Sequence, residues 1–564
     1  MPAYHFRSCL ILTALLLSGT TRAAADELLP ADRAFAEVID HYVDQKLTKA
    51  KVTPAPQADD ATFVRRLYLD LAGRIPTPSE VREYIGSTDP QKRTKLIAEL
   101  VASPEFIRHN ATEFDVFLRN ENSDISPQAG VRGYLIAAFK ESRPWDQMFR
   151  DLIGVSDSPH PDKPETYVIR RLKDREALTR DISSVFFGLN ISCAQCHRHP
   201  FIKSVTQDYF IGMREFFAMS YDFQGNLLDR RFQKPAEDMA KKDSKGKKDG
   251  KDKKEETAKK VETMPVKLMF LNGQTVERED EPAEDPAKAF LEESKAIEQL
   301  GKTYAKEKKL PQQPKFRARV KLAEFALQHE NRDMFAQAMV NRLWYRLYGY
   351  GLVMRIDQMH AKNPPSHPEL LGWLTRDFIA HKYDLKRLIA GLVSSKAYSR
   401  SSQWKEDSPP APELFAVGSI RPLMPAQWAV SFGIANNPEL ILGRDKPLEA
   451  REKAIISLEN PGLQSHIAFP RDDMPIQIVE SMRLSNDAGL NSIIGKQLLP
   501  MLKKAGDRKA QITQAMWAVL SRPPTVAEYE LFERHLEARK DSPDAGLQQM
   551  VWVLINSSEF RFNH

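Results

Sequence analysis

The run KKDSKGKKDGKDKKEETAKK, Lys241 to Lys260, constrains the fold more than any other feature, because it offers almost no side chain to bury. Ordering such a segment costs about 1–2 kcal/mol per residue in backbone entropy with no burial to offset it. The stretch 233–263 therefore reads as a disordered Lys-rich linker. Between Lys234 and Lys260 there are 11 Lys against 7 Asp plus Glu, so both signs are mixed through it. Docking on an anionic polymer or surface stays open as a second reading.

On both sides of this linker, apolar residues recur at helical spacing. Phe63, Leu67 and Leu71 share one stripe, Phe114, Phe117 and Leu118 another, and Asp181 to Leu189 is helical in pattern until Gly188. After the linker, Val266 to Phe270 alternates at period two ahead of Asn272-Gly273, the pattern of a hairpin in a small insert. Helices are then predicted over Phe316–Gln328, Met334–Tyr348, Pro368–His381 and Leu385–Ser394, with at least three more before the end. The expected fold is mainly α. Two helical domains, 26–232 and 316–564, are joined by the linker and a small β-containing insert at 264–315, and 564 residues suffice for several cores.

Residues 1–25 differ from the rest: Arg7, an apolar run from Cys9 to Gly19, then Ala23-Ala24-Ala25 before Asp26. This is the pattern of a secretory signal with an A-x-A cleavage site, too short to span a bilayer. Cys9 leaves with it, so two cysteines remain, and the expected product is exported: periplasmic, cell-surface or extracellular, with no transmembrane segment in the mature chain. The formal charge of +6 is accounted for by the signal's Arg7 and Arg22 and by the linker's surplus of four lysines. A body near neutrality argues against nucleic-acid binding.

A repeat links the two ends. Arg74, Pro76, Thr77 and Glu80 correspond to Arg522, Pro524, Thr525 and Glu528, and LVASPEF (100–106) is matched by LINSSEF (554–560). Thr77-x-x-Glu80 and Thr525-x-x-Glu528 have capping-box spacing, so the repeat is expected to build helix–turn–helix corners rather than a catalytic site. SSKAYSRSS, Ser394 to Ser402, is a further instance of the phrase that closes a helix pair.

The mature cysteines fall in CAQCHRHPF, Cys193 to Phe201. Attachment of haem c needs two thiols for thioether bonds and an adjacent imidazole for the iron, and Cys193, Cys196 and His197 have that spacing on one helical turn. His199, which Pro200 turns out of the helix, is a further metal candidate. Met213, Met219 and His160 are available as a sixth ligand. Two other readings stand beside haem: zinc or another transition metal on Cys193, Cys196, His197 and His199, four ligands cramped into one segment, and a small-ring disulfide.

These residues carry a resemblance. Leu178 to Ala218, with its CAQCHRHPF core, and RRLYLDLAGRIPTPSEV, Arg65 to Val81, resemble the planctomycete cytochrome-like secreted domain. FAQAMVNRLWYRLYGYGLV, Phe335 to Val353, and the segment Asn363 to Ser402 resemble the planctomycete secreted domain that usually follows it. Both are domains of unknown function. Arg198 stands where that pattern has an acidic residue, and Ser204 where it has tryptophan. The resemblance implies an exported planctomycete-type protein with a cytochrome-like label resting on the same motif. Many relatives add an N-terminal haem module, for which the stretch before Arg65 is too short, so it implies one haem at most. It also implies an envelope or redox protein as partner.

A further cluster, Asp357, His360 and His367, has the residue types of a general base or metal site and marks a weaker alternative, a metal-dependent hydrolase. Ser366-x-x-Glu369 predicts another capping box beside it. Trp344, Tyr345, Tyr348 and Tyr350 would stack sugars or, at helical spacing, fill a core. G-x-S-x-G, H-E-x-x-H and P-loop signatures are absent. The expected function is a c-type-haem-like redox or electron-transfer-associated role; the alternative is a non-enzymatic envelope scaffold in which the C-x-x-C-H segment is structural.

Overall fold

The computed structural model describes residues 28–119, 130–156, 160–203, 205–233, 267–279, 283–443, 446–467, 482, 484 and 486–564. The expected signal at 1–25, the linker beyond Gln233 and Ser204 lie outside these residues.

Helices dominate, and their ends follow local chemistry. Helix Asp60–Ala72 starts where the Asp59 carboxylate accepts the Thr62 N–H and stops at Gly73 with φ 67°. Its stripe Phe63, Leu67 and Leu71 is fully buried, each side chain contributing about 1.5–3 kcal/mol. Helix Pro104–Arg119 packs beside it, burying Phe114 and Leu118. After 283 the main helices are Pro286–Glu307, Ala318–Leu327, Arg332–Tyr348, Pro368–Ala380, Leu385–Leu392 and Pro425–Asn436, followed by Leu448–Leu458, Arg508–Leu520, Val526–Ala538 and Pro543–Ile555. Trp344 and Tyr348 stack at 3.8 Å inside the core, so the aromatic run is largely packing. Among the described residues no helix is long and apolar enough to cross a membrane.

The strands form three antiparallel pairs among the described residues. Leu268–Met269 pairs with Thr275–Val276 around Gly273, as the insert's hairpin signal predicts. The hairpin Ser220–Phe223 with Asn226–Asp229 was not expected; Gln224 and Gly225 turn it at φ 53° and 77°. The third pair, Arg421–Pro422 with Phe562–Asn563, fastens the last residues to the middle of the chain.

The repeat is a structural corner. Thr77 and Thr525 both complete capping boxes, and an arginine completes each corner. Arg74 forks onto Glu80 at 2.9 and 2.8 Å and reaches Glu105 at 3.5 Å; Arg522 forks onto Glu528 at 2.8 Å and reaches Glu559 at 2.5 Å. The serine ahead of each aromatic closes the phrase the same way: Ser103, Ser557 and Ser395 accept the N–H of Phe106, Phe560 and Tyr398. The box expected at Ser366 does not form. Ser366 Oγ pairs with His367 Nδ1 at 3.0 Å, and His367 itself takes the N-cap position without a side-chain cap.

One core runs from Phe35 to Ala416 and takes side chains from both sides of the linker; a second, Leu423 to Phe560, also takes Leu69 and Ile75. Helix Asp60–Ala72 therefore serves both. Its Arg66 donates to the carbonyls of Tyr398, Arg400 and His564, and Arg65 to those of Val519, Glu559 and Phe560. Asp70 accepts a two-pronged pair from Arg421 at 2.9 and 2.8 Å, plus Tyr398 Oη at 2.7 Å and Asn563 Nδ2 at 2.9 Å. Further along, buried Arg319 forks onto Asp229 at 3.0 and 2.9 Å and donates to the Ile153, Gly154 and Leu227 carbonyls.

Removing one side of a buried pair leaves an uncompensated charge, so Asp70→Ala should cost about 3–5 kcal/mol, read as a lowered urea midpoint, whereas exposed Glu83→Ala should leave it unchanged. Glu528 is pushed down to about 2 from an ordinary 4.5, first by its hydrogen bonds to Arg522. Its stabilisation is thus fully present above about pH 4.5 and is lost as pH falls toward 2. Glu528→Gln should unfold at lower urea than the native chain at neutral pH, and the gap should close across that acid window.

Candidate functional site

Helix Arg175–Phe187 delivers the chain to the cysteine loop through Gly188, whose φ of 62° suits glycine. A Cβ here would also lie 2.6 Å from Met359 Sδ, so a larger residue would have to displace that side chain. Segment 354–363, which follows helix Arg332–Tyr348, is laid directly against this turn. Met359 N–H donates to Gly188 O at 2.9 Å, Asn190 N–H to Asp357 O at 2.7 Å, and Asn190 Nδ2 to Asp357 Oδ2 at 2.9 Å. Asn190 Oδ1 also accepts from Ser192 N–H at 3.0 Å and Ser192 Oγ at 2.6 Å, which starts the 3-10 turn Ser192–Gln195.

That turn presents three groups to solvent. Cys193 and Cys196 are free, exposed thiols, and His197 is exposed beside them. The His197 N–H donates to Cys193 O at 3.1 Å and Cys196 N–H to the same oxygen at 3.4 Å, so one short helical turn holds all three residues. His197 Nδ1 lies 2.8 Å from Arg198 O. A carbonyl only accepts, so Nδ1 carries the proton and the Nε2 lone pair is left for a metal, the tautomer control common to metal-binding histidines.

His199 has a different place. It is 3% exposed; its Nδ1 accepts from the N–H groups of Phe201 and Ile202 at 3.3 and 3.2 Å, its own N–H donates to Val205 O, and its ring also bonds the Asn190 backbone. Burial holds its pKa below the usual histidine value. His199 thus staples the loop from within, with its ring engaged. Met213 is buried in the core, His160 packs edge-on to Tyr134, and Met219 opens the hairpin Ser220–Asp229.

The cluster Asp357, His360 and His367 is divided. Asp357 is committed to Asn190, with Arg355 at 3.7 Å. His360 joins the cysteine loop: its ring stacks on Phe201 at 6.0 Å and meets the His199 ring at 6.0 Å, and its buried Nδ1 has no hydrogen-bond partner. His367 is buried against Phe415, where burial pushes its pKa down to about 4. Among the described residues no group of three His, Cys, Asp or Glu side chains is arranged to hold a metal ion. One outward imidazole flanked by two thiols is a donor set that suits haem c, which needs a single protein nitrogen on that side. The cavities of about 560 and 480 Å³ do not reach residues 188–206. Sequence reasoning missed Asn190 and Met359, the residues that dock the two segments together; only Gly188, as a helix stop, was legible.

Family models match both halves of this arrangement. PSCyt2, a protein of unknown function (DUF1549), matches residues 38–222, which contain the cysteine loop; PSD1, a protein of unknown function (DUF1553), matches residues 318–431, which contain segment 354–363. The chain carries these two domains of unknown function in that order. No curated protein and no solved structure matches it.

The exposure of both thiols has a direct chemical readout. In a Cys9→Ser chain made without haem maturation, Cys193 and Cys196 should both react with a thiol reagent under native conditions; reaction only after reduction would identify a disulfide instead.

Proposed function

We propose that this chain is an exported protein carrying one haem c on Cys193, Cys196 and His197, with an electron-transfer-associated role beside an envelope or cell-surface redox partner. The observation that carries this reading is the turn itself: two unpaired, exposed thiols and a histidine whose Nδ1–H is tied to the Arg198 carbonyl, leaving Nε2 outward. Haem bound there would supply a one-electron couple. The chain's own residues hold the turn: Asn190 anchors its start to Asp357, Gly188 lets Met359 close against it, and His199 fixes its exit. Export is supported by the leader-like pattern of residues 1–25.

A second reading follows from the same loop's surroundings. With the cavities of about 560 and 480 Å³ lying elsewhere and the turn exposed, an envelope scaffold, with the turn as a surface contact, is the alternative. One experiment separates them. Protein purified from a haem-maturing host should gain the mass of one haem and keep a Soret band after denaturation, and Cys193→Ser/Cys196→Ser should lose both. A colourless native product of unmodified mass would reject the haem reading in favour of the scaffold.

A further inference from the structure

A cavity of about 560 Å³ lies between helix Pro104–Arg119 of the first matched domain and helix Arg332–Tyr348 of the second, and segment 419–427 forms its remaining wall. A neighbouring cavity of about 480 Å³ shares His109, Glu113, Val116, Met424 and Gln427 with it. The arginines that line this space are unusual in what they lack. Arg346 Nη1 and Nη2 are both buried with no hydrogen-bond partner. Arg342 keeps a single long bond to the Ser184 carbonyl, at 3.4 Å, its Nε is unpartnered, and its guanidinium lies over the Phe117 ring at 5.0 Å. Glu113, one helical turn from His109, makes no ion pair or hydrogen bond among the described residues, and burial pushes its carboxyl above the usual range. Burial also drives His109 down to about 3, so its ring is neutral.

The charge balance follows from these contacts. The third arginine, Arg421, is neutralised by Asp70, whose oxygens are already filled by Arg421, Tyr398 and Asn563. Arg346 is left with Glu113 as its foremost opposite charge and Arg342 with Asp357, and neither arginine makes a direct ion pair among the described residues. A buried guanidinium without acceptors is costly, and its planar fork matches an oxyanion. Phe114, Phe117, Ile420 and Pro422 supply an apolar wall beside it.

We infer that this interdomain cleft binds an organic oxyanion, its carboxylate, sulfate or phosphate group seated on Arg346 and Arg342 and its ring or apolar body against Phe117 and Phe114. The pocket needs both domains, since Glu113 and Phe117 come from one and both arginines from the other. It is independent of the haem reading.

The test uses the full chain and calorimetric titration with benzoate, phenyl sulfate and phenyl phosphate, with benzyl alcohol as the neutral counterpart. At least one anion should bind in the millimolar range or tighter and the alcohol should not; the rank order among the three identifies the head group. Arg346→Met should weaken that anion at least tenfold while leaving the unliganded melting temperature equal or higher, because it removes a stranded charge. Arg342→Met should weaken it too, and Glu113→Gln should preserve it. Failure of all three anions to bind, equal binding of the alcohol, or unchanged affinity in both arginine variants would overturn the proposal. A large loss of stability in Arg346→Met would do the same, by making Arg346 a structural residue.

Discussion

Asp70 receives hydrogen bonds from Arg421, Tyr398 and Asn563, groups that lie more than 300 residues away along the chain. Taking a carboxylate and a guanidinium out of water costs several kcal/mol per ion, and only a near-complete set of bonds returns it. The set here is complete for the carboxylate, so the interaction fixes position more than it adds stability. Because Leu69 packs in one core and Leu67 and Leu71 in the other, the helix bearing Asp70 admits a single placement of both. The Arg319–Asp229 fork plays the same part on the other side, tying helix Ala318–Leu327 to the hairpin Ser220–Asp229.

The elements legible in sequence were those specified by near neighbours. The stripe Phe63, Leu67, Leu71, the stop at Gly188, the two threonine boxes and the hairpin at Gly273 each depend on residues a few positions apart. What escaped was long-range or two-sided. Arg65, Arg66 and Asp70 look in sequence like a solvated helix face, yet each is 2–4% exposed, because backbone carbonyls cover the two arginines and the side chains of Arg421, Tyr398 and Asn563 cover Asp70. The hairpin Ser220–Asp229 hid because its second strand, Asn226 to Asp229, is buried at three consecutive positions and so shows no alternation. Ser366 misled for a local reason: a histidine immediately after it offered its hydroxyl a nearer partner than the backbone.

The candidate site divides along the same line. The spacing of Cys193, Cys196 and His197 was readable, and the turn that joins them is local. That Asp357 and His360 lie against this loop, while His367 faces Phe415, required the fold. Likewise, no motif announces Arg342, Arg346 and Glu113; an arginine four residues from another on a helix ordinarily marks a wet surface, and only the packing of two domains turns that face inward.

The contact of Gly188 with Met359 reaches beyond the loop it closes. Any side chain gained at 188 must displace Met359, which lies in the other matched domain, so the two domains meet at this point. Severing the covalent connection within 234–266 would be expected to leave two fragments that still recognise each other, and exchanging one half for a distant cousin's would produce partners that no longer fit.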